Sequence, residues 1–139
     1  MAKNKMKEIK FGDELYVAEI HYLHGGCADD FISLINERHP DSPKYSWGKK
    51  FDWGEEANTT DGYQFHINAV HGEGEIFYLW MLSPITSLFY HEVFHLSGDV
   101  LYTRGVEYCY ESEEAYAYYG GWIFEKIFKA INGKLIYNK

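Results

Sequence analysis

The chain has 139 residues, 46% hydrophobic and 24% charged, which suits one domain spanning residues 1–139 better than two. No run approaches the roughly 20 apolar residues of a membrane-spanning helix, and residues 1–10 are basic without the apolar centre of a secretory signal, so we expect a cytoplasmic protein with no membrane partner. The net charge of −8 repels a phosphate backbone and argues against a nucleic-acid partner.

Cys27 and Cys109 are too few for a disulfide scaffold and read as free thiols. The acidity is uneven: residues 52–125 hold thirteen Asp and Glu but only one basic residue, Arg104. Aromatics make up 19% of the chain, and their large buried areas let a small domain stand on packing alone.

In chain order, residues 15–23 are rich in strand formers (Tyr16, Val17, Ile20, Tyr22), and Gly25-Gly26 breaks this run. An amphipathic stretch over residues 28–38 (Phe31, Ile32, Leu34, Ile35) predicts a helix that Pro40 and Pro43 close. Residues 44–53 suggest an irregular strand, followed by a polar loop over 54–62. The clearest β signal is a hairpin, with residues 63–70 and 75–82 joined by the turn His71-Gly72-Glu73-Gly74.

Ser83-Pro84 reads as an N-cap and first helical position, so a helix is predicted over residues 84–103, ended by Gly105. Ser112 reads as the N-cap of a last helix over residues 113–131, closed by Gly133. Gly120-Gly121 inside it should cost about 1 kcal/mol each relative to Ala, which points to close helix packing there.

The first of these two helices carries His91-Glu92-Val93-Phe94-His95, an H-E-x-x-H motif. Four residues apart on a helix, the two imidazoles lie one turn above the other and can bind a single metal ion. Glu92 projects beside such a metal, where it can take a proton from a bound water. Two buried histidines with satisfied hydrogen bonds are the competing explanation. A catalytic zinc also needs a third protein ligand and an open position for water. The metzincin continuation fails, because Leu101 stands where its third ligand belongs. Carboxylates follow instead at Glu111, Glu113 and Glu114, a placement that the helix dipole alone would also favour. Cys109 is a chemically possible ligand, better explained as part of an apolar connector.

With His91 to His95 followed, nineteen residues after His95, by Glu114-Ala115, the chain resembles the gluzincin clan of zinc metallopeptidases. It is thermolysin-like in ligand set and nearest to the minimal metallopeptidase-like proteins of bacteria and phages. The resemblance covers roughly residues 63–128 and implies Zn²⁺ on His91, His95 and Glu114, with Glu92 as general base. It places Asp99 where an acceptor can orient a ligand imidazole. Tyr118 stands where an Asp that buttresses a ligand histidine is common. The implied fold is α+β and zincin-like, a small mostly antiparallel sheet packed on the H-E-x-x-H helix and a following Glu-bearing helix. In such enzymes the strand before the motif helix, here residues 75–82, offers its edge to an extended peptide.

The expected function is zinc-dependent peptide-bond hydrolysis, a metalloendopeptidase activity on a protein or peptide substrate. His66, His71, Tyr108, Tyr110 and Tyr118 are candidate oxyanion donors, whereas His21, His24 and His39 read as structural. A non-catalytic, metal-stabilised interaction domain using its aromatic surface is the alternative. A non-haem iron oxygenase shares the two-His-one-carboxylate set but usually builds it on strands, which the helical pair argues against.

Overall fold

The computed structural model describes residues 6–16, 18–40, 42–46, 49–50, 62–68, 75–83 and 86–133. In these, β1 (Lys7–Asp13), β2 (Ala18–His24), α1 (Ala28–Arg38), β3 (Lys44–Ser46), β4 (Lys49–Lys50), β5 (Gly62–Asn68), β6 (Glu75–Met81), α2 (Thr86–Thr103), a 3-10 turn (Tyr110–Ser112) and α3 (Glu113–Ala130) follow in order. The strands form one sheet in the order β1-β2-β6-β5-β3-β4, antiparallel except for the parallel pair β2 and β6. The architecture is therefore α+β, a mostly antiparallel sheet with three helices.

The sheet separates two cores. On one face Ile20, Tyr22, Phe77, Leu79 and Met81 pack against α2 and α3 through Phe89, Leu96, Val100 and Ile123. On the other face Leu23, Ile67, Tyr78 and Trp80 meet Phe31 and Ile35 of α1. Strands covered on both faces lose the polar half of a two-residue alternation, which is why β6 reads as a nearly continuous apolar run. Phe31 stacks on Trp80 with ring centroids 5.8 Å apart. No described helix is long and apolar enough to cross a membrane.

Several expectations hold and several need correction. The helix over residues 28–38 and the β5–β6 hairpin are found, while the turn 71–74 lies outside the described residues. The predicted strand 15–23 begins later, at Ala18, because the Asp13 carboxylate accepts from the Leu15 amide at 2.9 Å and the Tyr16 amide at 3.3 Å and makes a turn there. Before it lies β1, which the sequence reading missed: two lysines and a glutamate hide its alternation of half-buried and exposed positions. Within residues 44–53, β3 and the two-residue β4 form, and residues 51–53 and the loop 54–61 lie outside the described part.

The motif helix is described from Thr86, with Pro84 outside the described residues, and it ends as expected. Gly105, at φ +82°, lets its own amide reach the Tyr102 carbonyl at 3.0 Å and the Val106 amide reach the Leu101 carbonyl at 2.9 Å. Ser112 precedes α3 but does not cap it; its hydroxyl accepts from the Cys109 amide at 3.0 Å and donates back to the Glu107 carbonyl.

An ion pair ties β1 to α1. Arg38 donates to both Glu8 carboxylate oxygens, at 2.6 and 2.8 Å, and His21 lies 3.2 Å from one of them. The Arg38 guanidinium, above all, holds the Glu8 carboxyl below its ordinary 4.5. A depressed carboxyl stabilises the fold above that ordinary value and loses its contribution as pH falls through the folded value. Glu8→Gln should therefore cost roughly 1 kcal/mol at neutral pH, the pair being partly screened by water, and nothing at strongly acid pH. Urea denaturation of both proteins from pH 7 down through pH 4 checks this, with the two stability curves converging at the acid end.

Candidate metal centre

His91 and His95 sit on consecutive turns of α2, His91 exposed and His95 half-buried. Their Nε2 atoms converge to 3.0 Å. Two imidazoles on one tetrahedral zinc, each about 2.05 Å from the metal, would hold their nitrogens about 3.3 Å apart. The pair thus fits a shared metal ion closely. Burial, then the neighbouring His91, lowers the pKa of His95 and favours the neutral imidazole that a metal requires.

Glu92 is buried beside the two histidines. It is 8% exposed, and its Oε1 is 3.9 Å from His91 Nε2. Burial pushes its carboxyl up to about 7. A carboxylate beside a histidine pair, with its proton affinity near neutrality, can take up and release a proton near pH 7.

Asp99, one turn beyond His95, is fully buried. Its Oδ2 accepts from Gln64 Nε2 at 2.6 Å and lies 2.9 Å from His66 Nδ1, so it ties α2 to β5. The sequence reading does not single out Gln64, although Gln64 and His66, two residues apart, form a polar stripe on one face of an otherwise apolar strand. His66, expected as an oxyanion donor, is buried in this tie and stacks 5.7 Å from Tyr45. His71 lies outside the described residues.

Glu113 and Glu114 at the start of α3 are both exposed; Glu113 lines the groove between α2 and α3, and Glu114 lies about 100° further round the helix. Among the described residues no third His, Cys, Asp or Glu joins the two imidazoles as a metal-binding group. The physical reason is the line of helix contact: α3 packs along the side of α2 that carries Val93, Phe94 and Ser97, well round from the histidines. Tyr118 stands with Leu15, Tyr16 and Asp13 on the β1 side of α3, and Tyr110 is exposed. Tyr108 packs on Phe94, beside His95. Cys109 is an exposed free thiol rather than part of an apolar connector, and Cys27 is also free.

One expectation is overturned outright. β6 pairs with β2 along Ile76–Met81 on one side and with β5 along Glu75–Met81 on the other, so it has no edge for a peptide to join. The three remaining histidines lie on or beside β2 and α1. His21 lies between Glu8 and Glu19 and stacks on Tyr78, His24 ends β2, and His39 Nε2 meets the Tyr78 hydroxyl at 2.9 Å.

Compared with known protein families, curated proteins and solved structures, the chain matches no family model, no curated relative and no solved fold.

Proposed function

We propose that this protein is a zinc-dependent peptide hydrolase with a zincin-like arrangement, in which His91 and His95 hold the metal and Glu92 is the general base. The observation that carries the reading is the convergence of the two Nε2 atoms to 3.0 Å, with the buried Glu92 carboxylate 3.9 Å from one of them. The third ligand in this reading is Glu114, as the resemblance implies. Glu113, the α3 carboxylate that lines the groove beside α2, is the competitor.

Bound zinc would supply a Lewis acid and lower the pKa of a bound water. The chain's own residues do the rest. Glu92, with its proton affinity near neutrality, accepts a proton from the water and passes it to the leaving amine. Asp99, through Gln64 and His66, fixes α2 against β5 and so holds the histidine turn in place.

The reading is tested by incubating zinc-loaded protein with a peptide library and identifying products by mass spectrometry. Cleavage that a chelator abolishes and added zinc restores is the expected result. No cleavage by fully zinc-loaded protein would favour the non-catalytic alternative, a metal-stabilised interaction domain. Exposed Tyr90, Phe94, Tyr108, Tyr110 and Tyr118 are the observation on its side.

A further inference from the structure

The groove between α2 and α3 encloses about 440 Å³, within the range of small-ligand pockets. It has two aromatic walls. Tyr90 stacks on Phe124 with centroids 5.0 Å apart, and Tyr108 meets both Phe94 and Tyr116 edge to face, at 6.2 and 4.9 Å. Its floor is made of small side chains: Val93, Ser97, Ala117, Gly120 and Gly121.

Helix contact accounts for only one of the two glycines. A Cβ on Gly120 would lie 3.4 Å from the Ser97 hydroxyl of α2, and one on Gly121 would meet nothing within 4 Å. Glycine is among the least favourable residues in a helix interior, so Gly121, which no neighbour demands, keeps space open above α3.

The charge of the groove selects its occupant. Glu113 is the one carboxylate in its lining, and residues 105–124 contain Glu107, Glu111, Glu113 and Glu114 with no Lys or Arg. Of the flanking basic residues, Arg104 is held by the Tyr16 carbonyl and Glu75, and Lys126 lies over the Trp122 ring, which is not part of the groove lining. An anion is repelled there, a metal ion finds only one carboxylate, and a neutral apolar ligand leaves Glu113 unused. Aromatic faces attract an organic cation through their quadrupoles.

We propose that this groove binds a small organic ammonium ion with an apolar body, its charge set against Glu113 and the ring faces. This site is separate from the histidine pair and assigns Glu113 to the groove rather than to a metal held by that pair.

The test uses two ligands of equal shape, (4-hydroxymethylphenyl)trimethylammonium and the uncharged 4-tert-butylbenzyl alcohol. Each is titrated into isotope-labelled full-length protein and followed by NMR at the Gly120 and Gly121 amides and the Ala117 methyl. We expect saturable shifts with the ammonium ion, about tenfold tighter than with its neutral counterpart. Glu113→Gln should remove most of that preference. Gly121→Leu should abolish binding without lowering the thermal midpoint, because its side chain fills empty space, and His91→Ala should leave binding unchanged. Absent or non-saturable shifts, equal affinity for the two ligands, an undiminished preference in Glu113→Gln, or undiminished binding in a folded Gly121→Leu would each overturn the proposal.

Discussion

Glu92→Gln should retain zinc and lose about a thousandfold in peptide hydrolysis. A positioned general base contributes on the order of 10²–10⁴ in rate, and the amide keeps the size of the side chain while losing the ability to take a proton. The fold should tolerate the change. Glu92 is buried, and desolvation already pushes its carboxyl up to about 7, so a neutral side chain removes a group that is uncomfortable when charged. Unchanged zinc content, an unchanged or raised denaturation midpoint and a collapsed kcat form the expected signature. Activity within tenfold of wild type would take Glu92 out of the chemistry.

Asp99→Ala should destabilise the protein by about 3–5 kcal/mol, the usual cost of removing one member of a buried charged network. The carboxylate is fully buried and is the acceptor shared by Gln64 and His66, the tie between α2 and β5. Asp99→Asn keeps an acceptor oxygen and should cost less than half as much. Denaturant midpoints of the two variants check this. Equal, small losses would show that the tie contributes little.

The elements legible in the sequence are those whose burial is one-sided or whose ends carry a chemical mark. The α1 boundaries follow from the Gly25-Gly26 break and Pro40, and the end of α2 from Gly105. β1 was illegible because an edge strand with Lys7, Glu8 and Lys10 outward has little apolar contrast. The His91 and His95 pair was legible because a helix fixes the relation of residues four apart without help from the rest of the fold. What α3 brings beside them was not. That depends on which side of α2 faces α3: Gly120 signals close packing in the sequence, but not that its partner is Ser97. For the same reason β6 looked like an edge strand: local pattern does not reveal that β2, 57 residues earlier, pairs with it in parallel.

The most direct test of the central claim is the zinc content, by elemental mass spectrometry, of protein purified without a metal-affinity tag and dialysed against trace zinc. The variants to compare are His91→Ala, His95→Ala, Glu113→Ala, Glu114→Ala and Glu92→Gln. The account predicts one zinc per chain in wild type, Glu92→Gln and Glu113→Ala, and its loss in His91→Ala, His95→Ala and Glu114→Ala. Loss in Glu113→Ala with retention in Glu114→Ala would move the third ligand by one residue. Wild-type protein that stays free of zinc after dialysis would contradict the account and leave His91 and His95 as a hydrogen-bonded pair on the surface of α2.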